Sequence, residues 1–237
     1  MRLDHYIAKR LQISERDSRL RIASGEFQVD GSVTTDLRME ITRFQEVAAP
    51  GKQLQAAITP LYMALHKPAG ILSATTDPEH TTVIDLIDHP DKGTLHLAGR
   101  LDRSSTGLIL LTNDSAWSES LSHPDSKVPK TYLVETDRPI PESAPMKFAE
   151  GFPFLSEGIT TRPASLDILD PTTARVTLYE GRWHQIKRMF HRLDGIRLTS
   201  LHRQSIGPYD LDGLAPGEWR EIDPGKIEGQ KMEGQTC

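Results

Sequence analysis

The chain has 237 residues, 37% of them hydrophobic and 26% charged, with a formal net charge of −5, the balance of an ordinary soluble globular protein. No apolar run approaches the roughly 20 residues that span a bilayer, and the opening MRLDHYIAKR holds no apolar signal core. Membrane attachment and export are therefore not expected. The single cysteine, Cys237, excludes an intrachain disulfide and a cysteine zinc cluster, so a cytoplasmic setting is expected.

Leu3, Ile7 and Leu11 recur every four residues and predict a short amphipathic helix over residues 2–11. Ser14 is placed to cap a second helix, with Asp17 three residues on and Gly25 at its end. Alternation around Asp30-Gly31 then predicts a tight hairpin. Residues 1–48 thus form a small module whose polar side carries Arg10, Arg16, Arg19 and Arg21. Ala49–Pro60, punctuated by Ala-Pro-Gly and Thr-Pro, reads as a linker. From Leu61 to residue 223 the texture changes to strand-like runs near Tyr62–Leu65, Thr94–Ala98, Leu108–Thr112, Tyr132–Glu135 and Arg175–Tyr179. Helical patterns fall near Ala116–Ser122, Ala144–Gly151 and His184–Leu193. No βαβ rhythm repeats, so the fold class is α+β with a mixed, mostly antiparallel sheet. Residues 224–237, poor in apolar side chains, are expected to form a flexible tail.

The net acidity conceals two basic patches. Arg182, Lys187, Arg188, Arg192, Arg197 and Arg203 face one acid, Asp194, and a comparable concentration lies between Arg2 and Arg21. Three segments could carry chemistry. In "HLAGRLDRSSTGLILLTND", Arg100 and Asp102 precede a small polar loop and then a buried-looking strand, which would hold the carboxylate at a sheet rim; a turn-capping aspartate explains the same pattern. In "EGRWHQIKRMF", a helix beginning near His184 buries Ile186, Met189/Phe190 and Leu193. Lys187, Arg188 and Arg192 then lie on its other side, where a polyanion would relieve their repulsion. His184 and His191, seven apart, lack the i, i+4 spacing of a helical zinc pair. In "KTYLV", Tyr132 is either a core aromatic or a platform for a nucleobase.

These segments, with "HKPAG" ahead of them, occur in an order that resembles the pseudouridine synthases of the RsuA kind, which act on ribosomal RNA. The front 48 residues resemble the S4 RNA-binding module that commonly precedes that catalytic domain, and "LHRQSIGPYDLDGLAPGEWREI" resembles the small-subunit (16S) branch. His66 stands where many relatives have asparagine. The resemblance implies a uridine detached from C1′ of its ribose, turned and rejoined through C5, with no cofactor and no metal. It makes Asp102 the catalytic carboxylate, attacking or deprotonating at the sugar, and Lys187 its cationic partner. A cation beside a carboxylate favours its charged form and fixes its orientation. Tyr132 would stack on uracil and assist proton removal from C5. Arg100, Lys67, Arg182, His184, Gln185, Arg188 and Arg192, with the arginines of the small module, would contact RNA. The implied partner is 16S ribosomal RNA within an assembling small subunit, bound by a monomer.

Three other readings keep part of this pattern. A large-subunit (23S) enzyme of the same superfamily would differ only in its target. A glycoside hydrolase would share a carboxylate acting at an anomeric carbon, with Glu180 or Asp114 as the second carboxylate it needs. A non-catalytic RNA-binding assembly factor would bind and leave the base unchanged.

Overall fold

The computed structural model describes residues 1–226, which divide into a compact unit Met1–Pro60 and a second that begins at Leu61. The first unit opens with α1 (Leu3–Leu11) and α2 (Glu15–Ala23). Ser14 Oγ caps α2 by accepting from the Asp17 amide at 3.0 Å. At its other end the Gly25 amide bonds the Ile22 carbonyl and the Glu26 amide the Arg21 carbonyl. Gly25 stands at φ +75°, the left-handed position such a paired ending requires. Strands β1 (Gln28–Val29), β2 (Ser32–Val33), β3 (Val47–Ala49) and β4 (Lys52–Gln55) form a sheet in the order β2-β1-β3-β4. Leu3, Ile7, Ile22, Phe27, Val29, Val47 and Leu54 fill the space between helices and sheet.

The expected linker is corrected here. Ala49 closes β3, Pro50-Gly51 makes a tight turn, and Lys52–Gln55 pair back as β4. The Pro-Gly punctuation that reads as a boundary is the corner of a hairpin.

The second unit follows the order β5 (Tyr62–Lys67), β6 (His96–Leu97), β7 (Thr106–Thr112), α3 (Ser115–Ser122), β8 (Lys130–Thr136) and α4 (Ala144–Glu150). Then come β9 (Pro153–Phe154), β10 (Ile159–Thr160), β11 (Ser165–Asp170), β12 (Thr173–Leu178), α5 (Gln185–His191), β13 (Leu198–Ile206), β14 (Tyr209–Asp210) and β15 (Trp219–Glu221). The main sheet runs β11-β12-β8-β13-β7-β5-β15, with β14 paired to β13 and β6 to β7. Its junctions are antiparallel except β13 with β7. The class is therefore the mixed, mostly antiparallel α+β arrangement expected.

Both faces of the sheet are covered, which explains the unbroken apolar run Leu108–Leu111. Leu108 and Leu110 meet Trp117 and Leu121 of α3 and Tyr209 on one face. Ile109 and Leu111 join Phe148 of α4 and Met189 and Phe190 of α5 on the other. Residues 227–237, most of the expected tail, lie outside those described. Its first residue is not loose: the Pro224 carbonyl accepts from Trp117 Nε1 at 3.3 Å and from the Tyr209 hydroxyl at 3.0 Å.

Candidate active site

The parallel junction between β7 and β13 determines where the site forms. Gly107, at φ +106°, lies so near the backbone of Arg203 that a Cβ there would come within 2.2 Å of the Arg203 carbonyl oxygen. Only glycine permits this approach. The strand therefore starts at once after the polar loop, and the loop is fixed against the sheet edge.

Residues 100–105 are held through their carbonyls. The Arg203 guanidinium donates to the Arg100 carbonyl, Ser73 Oγ to that of Leu101, and the Ser105 amide to that of Asp102. Lys67 Nζ donates to Arg103 O at 3.2 Å, Ser105 O at 2.7 Å and Pro68 O at 3.0 Å. A loop with its backbone polar groups satisfied in this way aims its side chain rigidly.

Asp102 faces α5. Ile186, Met189 and Phe190 anchor that helix in the core, and this sets Lys187 over the loop. Lys187 Nζ donates to Asp102 Oδ2 at 2.6 Å, and His184 Nε2 lies 3.2 Å from Oδ1. All three side chains are about a third exposed, sheltered yet open to a ligand. His184 reaches the carboxylate because its backbone is left-handed, at φ 48° and ψ 32°. The turn before it is braced by Glu180, which is buried and accepts from the Arg162 amide, Arg182 Nε and Gln185 Nε2.

A single cross-strand row supplies the floor. Register pairs Val176 with Tyr132, Tyr132 with Arg203, Arg203 with Gly107, and Gly107 with Lys67. Tyr132 is buried, with its ring 6.0 Å from the Arg203 guanidinium carbon. The cleft above Asp102 combines apolar walls from Tyr132, Leu178, Ile186 and Leu201 with Arg100, Arg182 and Lys187. Flat, partly apolar walls with cations at the rim suit a planar base attached to a phosphodiester.

The other expected RNA contacts divide. Arg100, Arg182, Arg192 and Arg16 are exposed, although Arg182 also pairs with Glu180. Lys67 and Gln185 are corrected: Lys67 has no exposed surface and Gln185 is buried, so both brace the site from behind. Arg188 is corrected in part. It donates to Glu157 Oε1 at 2.6 Å and lies 3.6 Å over the Phe154 ring, which resolves the like-charge crowding with Arg192 inside the protein. In the small unit Arg19 and Arg21 are committed to Asp4 and Glu26, and Arg10 donates to the Leu54 carbonyl.

Neither carboxylate considered as a second glycosidase group is available. Asp114 caps α3 and accepts from Tyr62, and Glu180 is fully engaged. His66 points to the opposite face from Lys67, where its Nδ1 lies 2.7 Å from the Leu214 carbonyl. Arg203 and Lys130 were missed. No local signal marks Arg203, since β13 (Leu198–Ile206) is mostly polar and the burial of Arg203 there follows from strand pairing.

Burial pushes the Lys67 ammonium down to about 8, opposed by Asp102 and aided by Arg203. Burial, with Arg203 beside it, does the same to Lys130. Unfolded lysine titrates near 10.4. Below pH 8 both states hold the proton; above it the folded chain releases protons that the unfolded chain keeps, so stability rises. Tyr62 and Tyr209, pushed up to about 12, reverse the trend above pH 10. Urea titrations should therefore show stability climbing by about 1–3 kcal/mol from pH 8 to 9.5, with the climb abolished in a Lys67→Met/Lys130→Met variant. A flat wild-type profile would mean that both ammoniums stay charged inside.

A rigid loop presenting one ion-paired carboxylate beside a buried tyrosine, in a cleft rimmed by arginines, defines an enzyme that works on a nucleotide within a polyanion. Comparison with known proteins specifies which. Residues 61–192 match the family described as RNA pseudouridylate synthase. Over 228 residues the chain is 44% identical to a ribosomal small subunit pseudouridine synthase A of Pseudomonas aeruginosa, covering 96% of this chain and 99% of the relative. It is 39% identical to the protein of that name in Escherichia coli K12, covering 96% and 98%. A crystal structure of a pseudouridylate synthase superposes with a TM-score of 0.68 at 33% identity, covering 96% of this chain and 98% of the other. The chain belongs to the RNA pseudouridylate synthase family and is a pseudouridine synthase.

Proposed function

We propose that this enzyme isomerises one uridine of small-subunit ribosomal RNA, acting on the assembling subunit in the cytoplasm as a monomer. The Asp102–Lys187–His184 arrangement carries the reading of the site, and the full-length similarity to small-subunit enzymes supports the choice of RNA. Among the described residues no helix is long and apolar enough to cross a membrane.

The target base leaves its stack, at a cost of a few kcal/mol, and enters the cleft against Tyr132. Lys187 donates to one carboxylate oxygen and His184 stands 3.2 Å from the other, so Asp102 meets the sugar in a fixed orientation. It either adds to C1′ as the uracil N1 bond breaks, or takes a proton at the sugar. Freed uracil stays between the apolar walls, turns, and bonds C1′ through C5, displacing the Asp102 oxygen from C1′ or, on the deprotonation route, as Asp102 returns the proton to the sugar. Loss of the C5 proton, assisted by the Tyr132 hydroxyl, and uptake of a proton at N1 restore the ring. No atom is gained or lost, so no co-reactant is needed. Arg100 and the exposed arginines hold the phosphates. The S4-like unit at the front, through Arg16 and its neighbours, supplies further affinity without base specificity.

The test is to map pseudouridine in ribosomal RNA from a deletion strain. One small-subunit position should revert to uridine. The wild-type gene should restore it and the Asp102→Asn gene should not. A missing position in large-subunit RNA would reassign the substrate, and an unchanged map would leave only RNA binding.

A further inference from the structure

Trp183 is the most exposed aromatic among the described residues, at 74% exposure, whereas Trp117 is buried. Leaving an indole in water forgoes the burial such a large apolar ring normally finds. This one is nevertheless held in place. Its ring stacks on His184 at 4.0 Å between centroids and 18° between planes, and its carbonyl accepts from Arg188 at 3.3 Å. The other side of His184 approaches Asp102, with Nε2 3.2 Å from Oδ1. One face of the indole is thus covered by imidazole while most of the residue meets solvent.

Its position gives that exposure a purpose. Trp183 stands on the ridge between two clefts. One holds Asp102, Tyr132, Lys130 and Arg203. The other is lined by Lys187, Arg188, His191, Arg192 and Arg197; Lys187 and Arg188 are paired with Asp102 and Glu157, and Arg192 and Arg197 supply its remaining positive charge. A strand that drops its uridine into the first cleft must turn over this ridge. Its next phosphodiester then lies above the cations of the second, and the adjoining base is brought to the indole. Every base offers a π-face, and aromatic side chains recognise single-stranded RNA through it.

We propose that Trp183 is the platform on which a nucleobase flanking the target uridine stacks, with that nucleotide's phosphate held over the cationic second cleft. This rests on the reading of the first cleft as the uridine site. The stack also ties recognition to chemistry, since the same indole supports the imidazole that stands beside Asp102.

The probe is an in vitro transcribed small-subunit RNA fragment spanning the mapped uridine, together with two copies abasic at the preceding or following nucleotide. On the intact fragment Trp183→Ala should bind about fivefold to a hundredfold more weakly than wild type, the range of one base–aromatic stack, and Trp183→Tyr should recover most of that loss. On one of the two abasic fragments, wild type and Trp183→Ala should bind alike. Equal binding by Trp183→Ala and wild type on the intact fragment would overturn the proposal. A loss that persists undiminished on both abasic fragments would overturn it too, placing the effect of Trp183 on His184 alone. Failure of the underlying site reading would show separately, as wild type leaving the uridine of the intact fragment unchanged.

Discussion

Asp102→Asn is expected to abolish isomerisation, lowering single-turnover rates by on the order of 10⁴ or more, while RNA affinity changes by less than about 1 kcal/mol. The substitution keeps the size of the side chain and one of its two oxygens. The loop itself is held by Ser73, Lys67 and Arg203 through backbone carbonyls, and none of those bonds involves the Asp102 side chain. What is lost is the negative charge between Lys187 and His184 and the ability to attack or deprotonate at the sugar. Stability should move little, because the pair is about a third exposed and such ion pairs contribute roughly 0–1 kcal/mol. Turnover within tenfold of wild type would show that the reacting carboxylate lies elsewhere.

How far the sequence discloses this site depends on the range of the interactions concerned. Helix caps, the Asp30-Gly31 hairpin and the stripe that seats α5 are local, and their residues state them: Ser14, Gly25, Ile186, Met189 and Phe190 all occupy the expected roles. The Pro50-Gly51 pair is also local but ambiguous, since the same residues end a module or turn a hairpin. It turns a hairpin because Leu54 has an apolar core to enter. The charged residues mislead more. Lys67 and Arg188 look like free cations for RNA, but their partners lie at sequence distances that no periodicity reveals: Lys67 bonds Ser105, and Arg188 bonds Glu157. For Arg19 the partner Glu15 stands at i, i+4 and is legible. Arg203 shows the same limit from the other side. Its burial follows from pairing with Gly107 and Tyr132, strands separated in sequence by 96 and 71 positions, so its place in the site emerges only with the sheet.

Lys187→Met should separate orientation from binding. Removing the ammonium leaves Asp102 with His184 alone, and Oδ2, held at 2.6 Å in the intact enzyme, is free to turn. A reacting group misplaced by about 1 Å loses on the order of 10²-fold in rate, so single-turnover rates at saturating RNA should fall by about that factor. Lys187 also lines the cleft, yet it supplies at most one phosphate contact. The slope of log affinity against log salt should therefore flatten by no more than about 0.7. Folding should persist, because the methionine stem keeps the apolar contacts of the lysine chain and α5 is seated by Ile186, Met189 and Phe190. Lys187→Arg should restore much of the rate, since a guanidinium can still donate to the carboxylate, although its broader fork must shift to do so. His184→Phe offers the complementary case, keeping a ring against Trp183 while removing the contact to Oδ1. If each oxygen is held independently, the two losses add in free energy. If either donor suffices, each single variant is mild and the double variant is not. Normal turnover by Lys187→Met and by the double variant alike would remove the clamp from the mechanism and leave Asp102 oriented by its loop alone.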